Sequence, residues 1–335
     1  MPHLTTIRQS NAQLTASTIP KVAVFVGGTA GIGKLTLSAL VELGFECKAY
    51  IVGRQSSYAS FKPFAESLKA TNAKAQIVWI EGEVSLLSEA QRICEHIKTL
   101  EKHVDLLFMT TGYAPMGGRQ NTEEGLDTAH ALALYTRVTF TIQLLPLLRT
   151  APHARVISVL AGGMENARLL DVSDLNFEKP SAFRWFGVSQ FHMSMMNTLA
   201  LEKLADDPEN STITFIHSHP GLVRTGNLYR GWTQGSWGPW LCAITIDLVI
   251  RLFGISFEES AERYLYQVTS GAFGGAGPIQ EGVRGKSTRG REDGGLFLVS
   301  KKCDVVENQK EMGKLREKAG NVVWDKVQEI VVPYV

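Results

Sequence analysis

The chain has 335 residues, 44% of them apolar and 20% charged, which is ample for one large folded unit with a full hydrophobic core. With 34 basic and 33 acidic residues the formal net charge is +1, so no general attraction to nucleic acid or to an anionic membrane is expected. Four cysteines (Cys47, Cys94, Cys242, Cys303) stand far apart without metal-ligand spacing and read as reduced, mostly buried thiols; no metal is expected.

Residues 1–20 are polar, lack a secretory-type apolar core and read as an N-terminal arm, so the cytosol is the expected compartment. A continuous apolar run, Val22–Val26, then has the character of a strand buried on both faces of a parallel sheet. It runs into Gly27-Gly28-Thr29-Ala30-Gly31-Ile32-Gly33, and a helical stretch follows over 34–43. Gly27 permits a tight turn, Gly31 lets backbone approach an anion, and Gly33 lets helix and strand pack closely. With the dipole and free N–H groups of the helix N-terminus, this turn is suited to the pyrophosphate of a dinucleotide. The second strand, 47–52, ends on Gly53-Arg54 with no acid to take a ribose 2′-hydroxyl, so Arg54 favours the 2′-phosphate of NADP.

Further strands are predicted over 76–81, 105–109, 155–159, 212–217 and 295–299, with helices over 85–100, 124–148, 185–204 and 309–330. Strand and helix alternate, which predicts an α/β chain: one Rossmann-type, doubly wound parallel sheet within a single domain, residues 21–335. Residues 226–275 interrupt the alternation as an enlarged, Trp-rich insertion (Trp232, Trp237, Trp240), and Ser256 with Glu259 has the spacing of a capping box. Within it, residues 240–253 are strongly apolar but carry Asp247 and Arg251, and they fall short of the roughly 20 residues a membrane span needs. Membrane contact is therefore not expected. Loop flexibility and large apolar faces suit closure over a hydrophobic small molecule, with Trp232 and Trp237 as candidate contacts.

The glycine turn with Arg54 resembles the cofactor-binding half of the short-chain dehydrogenase/reductase family. Other landmarks follow in order: Glu83-Val84 where the family often has Asp-Val against the adenine, Thr110-Thr111-Gly112 where it has Asn-Ala-Gly, and Pro220-Gly221-Leu222-Val223-Arg224-Thr225 for its Pro-Gly-x-Val-x-Thr turn. Gly125-Leu126-Asp127 and the run 144–148 resemble the retinol-dehydrogenase-like branch, and Val159-Leu160-Ala161-Gly162-Gly163 resembles fungal members associated with secondary metabolism. The resemblance implies an NADP(H) site built from Gly27, Thr29, Gly31, Ile32, Gly33, Arg54, Glu83, Val84, Thr111, Gly112, Gln190, Pro220, Gly221, Val223 and Thr225, and it implies a homodimer.

The family's chemistry uses Asn, Ser, Tyr and Lys, and here those positions read Ala133, Ala161, Phe186 and Gln190. A phenylalanine has no proton to give, and a neutral amide cannot depress a neighbouring pKa. No tyrosine occurs between residues 160 and 225, so the loss of the tyrosine does not depend on the alignment. Substitute proton donors are sought at Tyr113 after the fourth strand, at Tyr135 with Arg137 near it in sequence, and at Glu165 in the loop past Ala161, where burial would have to raise the carboxyl pKa. Phe186 is a candidate substrate contact. His192 points away from the Phe186/Gln190 face and reads as structural; His219 reads as packing or bonding to backbone. Three activities stay open: carbonyl or alcohol oxidoreduction with a non-standard site, a non-redox isomerase, cyclase or lyase reaction, and catalytically silent binding.

Overall fold

The computed structural model describes residues 2–113, 119–179, 188–225, 254–279 and 284–335, together with residues 237, 240, 250 and 252. Seven strands, β1 (Val22–Val26), β2 (Cys47–Gly53), β3 (Ala75–Glu81), β4 (Leu106–Met109), β5 (Arg155–Val159), β6 (Thr214–Ser218) and β7 (Gly295–Val299), pair in parallel in the order β3-β2-β1-β4-β5-β6-β7. β1, β4 and β5 are buried along their whole length, which is why they read as nearly unbroken apolar runs.

Among the described residues the helices are α1 (Leu4–Ala12), α2 (Gly31–Glu42), α3 (Gln55–Thr71), α4 (Leu87–Leu100), α5 (Thr128–Thr150), α6 (Val188–Ala205), α7 (Phe257–Thr269) and α8 (Gln309–Val331). α4, α5, α6 and α8 cover one face of the sheet, and α1, α2, α3 and α7 cover the other, each layer closing over its own apolar cluster. α5 is long and apolar enough to cross a membrane, but 83% of that stretch is buried within the fold, and it is the central core helix of its layer.

The predicted doubly wound sheet is present, with two local differences. The N-terminal arm contains α1, whose Asn11 Nδ2 donates to Glu262 O at 3.0 Å and to Glu262 Oε2 at 2.6 Å on α7. It buries one apolar side chain, Ile7, so periodicity could not reveal it. α3 was not foreseen, because only Phe61 and Leu68 are buried along it and Pro63 lies inside it. Within the predicted insertion, α7 starts at the predicted cap, with the Ser256 hydroxyl accepting from Glu259 N at 3.0 Å, and buries Tyr264, Leu265 and Val268 against the α2 side of the sheet.

Register explains why distant segments share one edge. Val26 lies opposite Val52 and Met109, Met109 opposite Ser158, and Ser158 opposite His217. The segments leaving β1, β2, β4, β5 and β6 therefore emerge side by side at the carboxyl edge, where open α/β sheets bind ligands.

Candidate active site at the carboxyl edge of the sheet

The glycine turn leaves β1 and becomes α2 at Gly31, as the sequence pattern requires. A Cβ on Gly33 would stand 2.3 Å from Gly27 O, so only glycine lets the helix begin this close to the strand. Gly31 has φ +57°, and a Cβ there would meet Thr225 Cβ at 3.0 Å. The turn after β6 thus closes on the turn after β1, bringing together the two ends of the expected cofactor site. No side chain caps α2 at Ala30, which leaves its first N–H groups for an anion.

Beside this turn, Gly53 packs against Thr29 and Trp79 at the end of β2, and Arg54 follows on the surface without an ion pair among the described residues. A cleft of about 1060 Å³ opens between Arg54, Trp79 and Glu83. Glu83 turns its carboxylate to Ser85, accepting from its hydroxyl at 2.9 Å, and Val84 is buried below. At the other end of the edge, Thr111 Oγ1 and Gln190 Oε1 are buried without a hydrogen-bond partner. An uncapped helix start and, farther along the same edge, orphaned buried polar atoms fit a nucleotide with phosphate and ribose hydroxyls.

Arg137 is the residue the sequence undervalued. Its guanidinium is fully buried and donates to Ser158 Oγ at 2.6 Å, Val159 O at 3.0 Å, Thr111 O at 2.6 Å and Leu132 O at 3.1 Å. It ties the ends of β4 and β5 to a π-helical turn, Ala131–Tyr135, inside α5; such turns recur at functional sites. These acceptors are neutral, and burial pushes its pKa down to about 9. Ser158 passes the contact on by donating to Asn197 Oδ1 at 2.8 Å on α6. The available signal was an arginine standing in the apolar helix stretch between Tyr135 and Val138.

The expected site positions separate. Ala133 is buried in a small apolar cluster with Phe177 and Met193, and Leu160 packs on it. Ala161 is buried just past β5, Gln190 lies near the start of α6, and Phe186 and Trp232 lie outside the described residues. Tyr135 is not the activated phenol the sequence suggested. Its ring stacks on His130 at 5.4 Å, its hydroxyl donates to Asn176 Oδ1, and burial pushes its pKa up. Arg137, expected to lower that pKa, is engaged with the strand ends instead. Tyr113 is raised too, by burial and then by Asp127, opposite to the shift a proton donor needs.

Glu165 is raised as that role requires. Burial pushes its carboxyl up to about 7, against hydrogen bonds from Thr198 and Gly163 N that favour the charge. It is 5% exposed, however, and is packed behind the edge instead of lining it. His192 is structural as expected, accepting from Asp171 N at 3.3 Å and lying 3.1 Å from Leu175 O. His219 holds Val299 O through its backbone N–H at 2.8 Å. Val223 pairs with Ile255, which pins together the ends of the segment carrying the tryptophans. Trp237 is 77% exposed, with its ring 6.3 Å from that of Trp240.

The short chain dehydrogenase family model matches residues 21–170. The chain is 34% identical to Oxidoreductase AN1596 of the fungus Emericella nidulans, over 99% of this chain and 98% of that protein. It is 24% identical to mouse Retinol dehydrogenase 14, over 79% of this chain and 76% of the other. Among solved structures it resembles NADPH-bound carbonyl reductase from chicken fatty liver, with a TM-score of 0.52, 13% identity, and coverage of 84% of this chain and 97% of that one.

Proposed function

The chain belongs to the short chain dehydrogenase family of oxidoreductases, and on that footing we propose that it is a cytoplasmic NADP(H)-dependent enzyme that reduces or oxidises a bulky, apolar small molecule at a non-standard catalytic site. The observation that carries the nucleotide is the uncapped start of α2, closed by Thr225 against Gly31 and flanked by Arg54. The N–H groups at the start of α2 would hold the pyrophosphate, and Arg54 the 2′-phosphate. Thr111 Oγ1 and Gln190 Oε1, both lacking partners, would take hydroxyl and amide groups at the nicotinamide end. When bound, the nicotinamide supplies or accepts hydride.

Arg137 fixes the floor of that site by holding the ends of β4 and β5. The Trp-rich, glycine-containing stretch 231–240 of the sequence is what favours a bulky apolar substrate. At the positions where the family carries its proton-transfer groups, Ala133 and Ala161 have no ionisable head, and we read Phe186 and Gln190 as the remaining two substitutions. The same observation favours a second reading, a non-redox isomerisation, cyclisation or cleavage on this scaffold.

The test is titration with NADPH and NADH, followed by turnover with phenanthrenequinone as a flat apolar carbonyl probe. NADPH should bind tighter, and Arg54→Ala should weaken NADPH about tenfold or more while changing NADH little, as loss of one charge-assisted contact predicts. Equal binding of the two nucleotides before and after the substitution would remove the NADP assignment. Probe turnover that consumes NADPH supports oxidoreduction; conversion without loss of NADPH absorbance supports the second reading.

A further inference from the structure

α6 carries a polar stripe where its sheet-facing side should be apolar. Gln190, Ser194 and Thr198 stand four residues apart, on one face of the helix. Thr198 Oγ1 lies 2.8 Å from Glu165 Oε1 and 2.7 Å from His217 Nδ1, and Ser194 Oγ lies 3.4 Å from Nε2 of the same ring. Glu165 and His217 have side chains 1% and 0% exposed, and Glu165 Oε2 has no hydrogen-bond partner. Four groups able to carry a proton are thus linked in a row and sealed from bulk water. The row begins at a carboxyl with one empty oxygen and ends one helical turn from Gln190, the position of the family's lysine.

We propose that Glu165 is the proton store of the cleft and that Thr198, His217 and Ser194 relay its proton to the reacting oxygen, in place of the family's tyrosine. This rests on the oxidoreductase reading above. The chain is complete in both proton states. With Glu165 protonated, its O–H donates to Thr198, Thr198 donates to His217 Nδ1, and His217 Nε2–H donates to Ser194. With Glu165 ionised, every bond reverses: Ser194 donates to Nε2, Nδ1–H to Thr198, and Thr198 to Oε1. In carbonyl reduction the substrate carbon gains hydride from the reduced nicotinamide and its π pair moves to oxygen. That oxygen takes a proton through cleft water from Ser194, each relay member shifts one proton forward, and Glu165 is left as carboxylate. Solvent reloads it.

The surroundings favour a store over a fixed charge. His217 faces Glu165 from β6 and is kept neutral by burial and by Arg137 of α5, with its pKa down to about 3. Glu202 of α6 opposes ionisation of Glu165, though Arg316 and Arg289 hold that carboxylate. From α8, Glu311 and Lys318 bond the backbone of Ala167 in the same loop. Burial leaves Glu165 titrating at about 7, where it can both give and regain a proton.

Two measurements test this on the full-length protein. Infrared difference titration should show a protonated carboxyl band that disappears near pH 7 and is missing in Glu165→Gln. A Glu165 ionised throughout the range overturns the proposal, whatever the activity. In phenanthrenequinone reduction the parent rate should fall above about pH 7, and Glu165→Gln should lose that dependence and slow about tenfold to a hundredfold, with KM for NADPH unchanged. Thr198→Val, which removes the hydroxyl and keeps the shape, should reproduce the loss, and Thr198→Ser, which keeps the hydroxyl, should retain the parent behaviour; this pair carries the test if the Gln variant folds poorly. Unchanged rates in both broken-chain variants overturn the relay. The infrared band reads Glu165 directly, so its failure is distinguishable from a failure to consume NADPH, which would sink the oxidoreductase reading instead.

Discussion

Glu165 and His217 lie 3.9 Å apart, and their titrations work on stability in opposite directions. Glu165 has a folded pKa raised from 4.5 to about 7, so between those values the folded chain holds a proton that the unfolded chain has released. Its contribution is fully present below about pH 4.5 and is lost as pH rises through 7, about 3 kcal/mol in all. His217 is lowered from 6.5 to about 3, so the unfolded chain binds a proton that the folded chain refuses, and stability is lost as pH falls below 6.5. From about pH 4.5 to 6.5 the two slopes, each about 1.4 kcal/mol per unit, cancel. Glu165→Gln should therefore uncover a stability that rises with pH across this window, and His217→Asn one that falls. Urea unfolding at three pH values reads both slopes, and parallel profiles for the two variants would contradict the assignment. The sequence could single out Glu165 from its place after the fifth strand. It could not pair that residue with His217, because the pairing comes from the register of β5 against β6 and not from any local spacing.

At the scale of elements, legibility followed how much of an element's information is local. β1, β4 and β5 were readable because burial on both faces forces apolar side chains at consecutive positions. The start of α7 was readable because its cap lies within four residues, Ser256 to Glu259. α1 was not, since what holds it is distant: Arg8 reaches Glu258 at 2.5 Å, Asn11 reaches Glu262, and Ile7 is fully buried beneath them. Isolated helices this short are marginal, so α1 depends on its docking onto α7. Ile7→Ala, which empties that seat, should cost about 3 kcal/mol, seen as a lower urea midpoint with an unchanged slope. A loss below about 0.5 kcal/mol would mean the arm is a loose appendage, as its composition first suggested.

For the whole molecule, strand order does what neither turn can do alone. The glycine turn was legible because strand, glycines and helix are contiguous, but its lid is Thr225, brought from the far half of the chain by β4, β5 and β6 adding in turn to β1. Gly31 sits where those two halves touch, at φ +57° and where a Cβ would crowd Thr225 Cβ at 3.0 Å. A valine there must either move the lid or twist the turn, and both spoil the geometry for pyrophosphate. Because the contact lies at the rim of the sheet and not in either apolar cluster, the fold itself should tolerate the change better than the ligand does. On the proposed reading, NADPH at a hundred times its Kd stabilises the parent by about 2.7 kcal/mol. Gly31→Val should abolish most of that gain, leaving an unliganded chain that still unfolds cooperatively in one step. A variant whose unfolding midpoint rises with NADPH as much as the parent's would show that the nucleotide does not rest on this turn, and the site would have to be sought elsewhere along the carboxyl edge.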